Sequence, residues 1–230
     1  KIFAEILSNS KKPLGFTNNK NKELRKNIDP EEVLEQKALA LINQGNDKEA
    51  EGIYNNLVNN GTKNYIIYGN LGVLCGKRGD REKMTIYLKK AIELNPNYVE
   101  AYYNLGNAYQ GEGDLDNSIK YYRKALKLDP RYYNAHYNLG NSLRQKGEIT
   151  ASIKSYEHAI KLNPSFAAAY SNLGNSLKES GCNQPAINSY KQALRLNPNF
   201  LEAQINLGNT LLSQGDLEGA INSFQNAIKI

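Results

Sequence analysis

The stretch "VEAYYNLGNAYQGEGDLDNSIKYYRKALKLDPRY", residues 99–132 of a 230-residue chain, decides the fold. Its tetrad Asn-Leu-Gly-Asn begins at Asn104 and returns at Asn138, Asn172 and Asn206, each copy 34 residues after the last. Glycines at 45, 79, 113, 147, 181 and 215 keep the same step, as do prolines at 96, 130, 164 and 198. Self-similarity at a fixed period takes precedence over any domain count drawn from length. The chain divides into units 31–64, 65–98, 99–132, 133–166, 167–200 and a shortened 201–230.

Within 99–132, numbered as places 1 to 34, apolar or small residues fall at places 4, 7, 8 and 11 (Tyr102, Leu105, Gly106, Tyr109). That i, i+3, i+4, i+7 spacing marks one buried face of a helix. Past the Gly113-Asp114 turn, Ile119, Tyr122, Ala125 and Leu126 form a second such stripe. Each unit is therefore read as a helical hairpin. Glycine at place 8 and alanine at place 27 allow the two helices to approach closely, and glycine at place 15 ends the first. Proline at place 32 stops the second helix, and the aromatic residue at place 34 (Tyr98, Tyr132, Phe166, Phe200) is a wedge between units. A lone hairpin cannot bury its stripe, so the units must stack into a solenoid with a continuous core.

Period 34, small residues at places 8, 20 and 27, glycine at 15, an aromatic at 24 (Tyr54, Tyr122, Tyr156, Tyr190, Phe224) and proline at 32 resemble the tetratricopeptide repeat family over residues 31–230. The resemblance implies an all-α, right-handed superhelical solenoid of about six stacked antiparallel helix pairs. Some units depart from the pattern. The first has Lys37 where the others have leucine and lacks the proline; the second places Met84 and Leu88 where small and aromatic residues are usual. The fifth carries Pro185 in the first turn of its second helix, a tolerated position. The sixth stops at Ile230 without a polar capping helix, which leaves an apolar end for more chain or a neighbouring copy to cover. The first residue is lysine rather than methionine, as in a piece of a longer or processed protein.

The net charge of +6 belongs mainly to residues 1–30, where seven Lys/Arg stand against three Asp/Glu. This basic, Asn/Lys-rich leading segment is read as flexible or loosely attached, up to Asp29 and Pro30, a helix N-cap and first helical residue. The pI is therefore no property of the repeats. No apolar run is long enough for a membrane-spanning helix. Cys75 and Cys182, lying far apart with no CxxC and no clustered histidine, suit a reducing, cytoplasmic compartment and no metal site.

On the first helix of each unit, places 2, 5, 6, 9 and 13 lie opposite the buried stripe. In the tetratricopeptide family that side lines the concave surface. The twin asparagines occupy places 6 and 9: Asn70, Asn104, Asn138, Asn172 and Asn206 in one row, Asn107, Asn141, Asn175 and Asn209 in the other, with Val73 interrupting. A carboxamide both donates and accepts, so such rows suit the main chain of an extended peptide. They are similar to the asparagine ladder of the O-linked N-acetylglucosamine transferases, which implies backbone recognition. The same asparagines also fit a structural reading, bonded to a neighbouring helix. Tyr103 and Tyr137 at place 5 add stacking surface. The family's carboxylate clamp needs Lys or Arg at places 2 and 6; here place 2 reads Ile66, Glu100, Asn134, Ala168 and Glu202, so that mode is disfavoured.

No catalytic set converges. His136 holds a packing place, His158 lies on a second helix, and neither cysteine has a histidine placed to activate it. The glycine-rich "GNAYQGEG" and "GEGDLD" lie between helices without the lysine ending of a phosphate loop. Acidic residues after the turn, Asp114, Glu148 and Asp216, are read as helix caps. Amide rows in place of basic ones argue against nucleic acid. The sequence thus predicts a cofactor-free, metal-free protein-interaction module for a protein or peptide partner in extended conformation. The alternatives are the substrate-recruiting arm of a larger enzyme such as a glycosyltransferase and a self-assembling scaffold joined through its last unit.

Overall fold

The computed structural model describes residues 29–230, all regular structure among them being helical. The leading-segment expectation for residues 1–28 lies outside the described residues. Two compact bodies divide after Gly61.

In the first body, α1 (Pro30–Asn43) and α2 (Asp47–Asn59) form one hairpin. Asp29 is the N-cap of α1, its carboxylate accepting the Glu31 N–H at 3.0 Å, and Pro30 follows at a position whose N–H would have no helical partner. Ala38, Ala50 and Tyr54 are fully buried.

The second body holds five hairpins: α3 (Tyr65–Lys77) with α4 (Arg81–Leu94), α5 (Val99–Glu112) with α6 (Leu115–Leu128), α7 (Tyr133–Gln145) with α8 (Ile149–Leu162), α9 (Ala167–Glu179) with α10 (Asn183–Leu196), and α11 (Leu201–Ser213) with α12 (Leu217–Ile228). Each helix packs on its hairpin partner and on the next helix in sequence, and first helices of adjacent hairpins also touch. This is the stacked-pair solenoid the period predicts.

Gly113 shows how the turn works: at φ +79° it adopts the left-handed conformation that ends α5, and Asp114 then caps α6 by accepting the Asn117 N–H. Asp80 and Asp216 cap α4 and α12 in the same way. Glu148 does not; its side chain makes no cap bond and meets Lys146 at 3.1 Å, since the longer glutamate reaches past the amides that an aspartate fits. Second helices end at Leu94, Leu128, Leu162 and Leu196, and the residue before each proline, Asn95, Asp129, Asn163 or Asn197, is already a non-helical C-cap, as pre-proline sterics require.

The tetrad glycine answers to the ring opposite it. A Cβ built on Gly140 would sit 2.6 Å from Tyr156, and Gly106, Gly174 and Gly208 face Tyr122, Tyr190 and Phe224 equally closely. Tyr122, Tyr156 and Tyr190 are fully buried there. The place-34 aromatics sit at the N-cap of the following first helix while packing back on their own, Tyr132 on Tyr103 at 4.8 Å and Phe166 on Tyr137 at 4.7 Å, so they tie one unit to the next. Buried hydroxyl pairs add a polar link: Ser118 meets Ser142 at 2.6 Å and Ser152 meets Ser176 at 2.9 Å. Neither pair leaves a buried hydroxyl without a partner. Among the described residues no helix is long and apolar enough to cross a membrane.

Candidate functional site

Because the first helices line up side by side, their asparagines come within hydrogen-bond distance across repeats. The Asn138 amide donates to Asn107 at 2.9 Å, Asn172 to Asn141 at 2.8 Å, and Asn206 to Asn175 at 3.0 Å. From Asn138 onward, each place-6 amide grips the place-9 oxygen of the unit before.

That oxygen is gripped a second time from inside the core. Tyr122 donates its hydroxyl to Asn107 at 2.7 Å, Tyr156 to Asn141 at 2.8 Å and Tyr190 to Asn175 at 2.8 Å. Burial pushes all three phenols above their ordinary value, Tyr190 to about 12, so they remain donors at any working pH. With their oxygens held by two donors, Asn107 and Asn141 have their N–H groups left over, whereas Asn175 gives its own to Asn172 at 3.5 Å and Glu202 at 3.4 Å. The place-6 amides use their nitrogen inward and leave an oxygen outward, most clearly at Asn138. The joint of Asn107 with Asn138 therefore presents one fixed donor and one fixed acceptor on half-buried residues, and Asn141 repeats the donor one unit on, while Asn175 at the last joint is buried.

Tyr103 and Tyr137 join these bonds by their hydroxyls, which accept from Asn138 at 3.1 Å and Asn172 at 3.0 Å. Their rings are engaged with Tyr122 and Tyr132, and with Tyr156 and Phe166. Asn104, three residues before Asn107 on α5, is half-buried; Asn70 lies one unit earlier beside Val73, and Asn209 is exposed on α11. The bonded row thus runs from Asn107 to Asn206.

The row leads into a cleft of about 470 Å³ lined by Arg144, Asn175, Lys178, Glu179, Tyr190, Glu202 and Asn206. Arg144 pairs with Glu179 at 3.0 Å, joining α7 to α9. Asn175 reaches both Asn172 at 3.5 Å and Glu202 at 3.4 Å, which makes it the most buried of the row at 9% exposed. The charged residues here, and the tyrosine contribution to the amides, escape a reading of place 6 and place 9 alone. A partial signal for the tyrosines exists: where place 24 is Leu88, place 9 is Val73, and where it is Tyr122, Tyr156 or Tyr190, place 9 is asparagine, but Tyr54 goes with Leu39 and Phe224 with Asn209.

The residues expected to stay out of chemistry are packed. His136 and His158 stack at 5.2 Å between ring centroids, His136 bonded to the Pro130 carbonyl and His158 to that of Lys154. Cys75 is buried and Cys182 exposed, and neither is in a disulfide.

A solenoid of helix pairs with a polar row along its first helices defines a helical-repeat protein. Tetratricopeptide repeat family models match residues 65–98, 99–132, 121–154 and 201–230, and a related TPR repeat model matches 140–181 and 174–215, together spanning 65–230 without a gap. The chain belongs to the tetratricopeptide repeat family. The photosystem I assembly protein Ycf3 of Acaryochloris marina is 46% identical over 41 residues, 18% of this chain; that match spans about a quarter (24%) of the relative's length. Among solved structures, MamA is 28% identical with a TM-score of 0.67, over 69% of this chain and 93% of that one. MamA of Desulfovibrio magneticus RS-1 is 25% identical with a TM-score of 0.69, over 74% and 95% of the two chains. YrrB, described as a TPR protein with an unusual peptide-binding site, shares the fold at 22% identity and a TM-score of 0.67, over 76% and 91%.

Proposed function

We propose that the chain is a protein-interaction module that holds an extended segment of a partner along the amide row of α5, α7, α9 and α11. The observation that carries this reading is the fixed orientation of the carboxamides. An amide free to rotate loses side-chain freedom on binding, whereas one already clamped by a buried phenol and a neighbouring asparagine does not. Fixed donors at Asn107 and Asn141 and a fixed acceptor at Asn138 match the N–H and C=O of an extended main chain, so recognition reads backbone before side chain and specificity is broad. The likeness to the ladder of the O-linked N-acetylglucosamine transferases, and a peptide-binding neighbour of the same fold, support this reading. A reducing cytoplasmic setting is in keeping with two cysteines that form no disulfide.

Peptide-library capture tests the reading, with Asn138, Asn141, Asn172 and Asn175 replaced together by alanine and the fold checked by circular dichroism. Capture lost from a variant that keeps its helicity is the expected outcome. Undiminished capture contradicts it.

A second reading, end-to-end association, is favoured by the exposed Leu217, Ile221 and Ile228 of α12. Light scattering on the chain and on Ile221→Lys separates a dimer that dissociates in the variant from a chain that is monomeric in both.

A further inference from the structure

Charge is divided between the two sets of helices. In the second body the five first helices carry three Lys/Arg against four Asp/Glu, whereas the five second helices carry twelve against five. We propose that the second-helix side of the repeats, away from the amide row, is an interaction surface for an acidic segment of a partner protein.

Most of the cations there have no carboxylate partner. Of the twelve, only Lys83 and Lys90 meet a carboxylate among the described residues, whereas Arg78, Arg144 and Lys146 on first helices and turns are each paired. Solubility alone asks for mixed signs rather than one-sided excess. Lys120, Arg123, Lys124 and Lys127 are all exposed and follow i, i+3, i+4, i+7 spacing, so α6 presents a line of positive charge along one side. Place 29 repeats the charge across units at Lys127, Lys161 and Arg195, each 34 residues on. Lines along the helices and rows across them make a grid whose summed potential exceeds that of any pair.

The centre of the grid is preorganised. Tyr109 and Tyr121 stack at 5.3 Å with planes 8° apart, and Tyr102 joins them at 6.4 Å. The Lys124 ammonium stands 5.5 Å from the rings of both Tyr102 and Tyr121, Lys120 stands 5.8 Å from Tyr121, and Lys89 of the preceding unit stands 5.9 Å from Tyr109. Ring faces hold these long side chains in place, which lowers the ordering cost when an anion arrives.

The chemistry favours carboxylates over phosphates. Nine of the twelve cations are lysines, point charges without the planar fork that grips phosphate oxygens in pairs. Single-stranded nucleic acid needs open aromatic faces for its bases, and the tyrosine faces here are taken by each other and by ammonium groups. Nothing in the grid depends on the amide row.

Fluorescence anisotropy on the full chain with a labelled oligo-glutamate peptide tests the proposal, beside a single-stranded oligonucleotide and phosphatidylserine vesicles. Oligo-glutamate should bind with an affinity that falls as salt rises, and Lys120→Glu/Lys124→Glu/Lys127→Glu should weaken it by about tenfold or more. Lys154→Glu/Lys161→Glu, one unit on, should weaken it too, while Asn141→Val/Asn175→Val leaves the salt-sensitive, lysine-dependent part of the binding in place. No binding at low salt, binding unaffected by either lysine variant, or tighter binding to the oligonucleotide or the vesicles than to oligo-glutamate overturns the proposal. The exposed lysine variants should keep the wild-type melting curve, so loss of fold and loss of surface remain distinguishable.

Discussion

Replacing Tyr156 by phenylalanine isolates the bond on which the amide row depends. The ring stays, so the fully buried site keeps its packing against Gly140, and only the hydroxyl that reaches Asn141 at 2.8 Å is lost. The Asn141 oxygen is not orphaned, because Asn172 still donates to it at 2.8 Å. The loss should be that of one net hydrogen bond, about 0.5–1.5 kcal/mol, without the larger cost of a stranded acceptor. For a body of this size each kcal/mol moves the melting midpoint by about 2–4 °C. Asn141→Val does the opposite: it leaves the Tyr156 hydroxyl buried without its acceptor, at roughly 1–3 kcal/mol. The two changes together reproduce the apolar pairing of Val73 and Leu88 in unit 65–98, and should cost less than their sum by about 1 kcal/mol. Urea denaturation of the four proteins closes the cycle. Additivity within about 0.3 kcal/mol would refute the coupling of core tyrosine to surface amide.

Gly140→Ala gains helix propensity but drives a methyl to 2.6 Å from the Tyr156 ring; overpacking wins, for a net loss of roughly 1–3 kcal/mol by denaturant unfolding. His136 is held below its ordinary value of 6.5 first by burial and then by the neighbouring His158. The unfolded chain takes up that proton first, so stability is full above about pH 6.5 and declines as the pH falls from there to the folded-state value. In His136→Phe that part of the decline disappears, as melting curves across the range should show. Glu202→Gln removes the charge that Asn175 faces in the cleft at 3.4 Å and should change side-chain preference in captured peptides while leaving the number captured the same.

The repeat and its buried stripes were legible because they are local: Leu139 and Gly140 share a face by helical spacing, and a 34-residue step needs only counting. Glycine at Gly113 declared its turn for the same reason. The bonds that fix the amides are not local. Tyr156 and Asn141 are fifteen residues apart on facing helices, and Asn172 reaches Asn141 across a repeat boundary, so both depend on how helices cross and stack. Sequence placed the asparagines on the side opposite the core; it could not show that a core phenol reaches through to hold them. The structural bonds use one end of these carboxamides, and the proposed ligand contact would use the other. Charge division between helix sets was equally open to counting, but only once the helix bounds were known.

The most direct test of main-chain recognition is calorimetric titration of a captured peptide against the same peptide with alternate backbone amides replaced by esters. The side chains and length are unchanged, and only N–H donors are removed. Recognition by the outward oxygens of Asn138 and its equivalents predicts a loss of about tenfold for esters on one set of alternate positions and little for the other set. Equal affinity for all three peptides would contradict it.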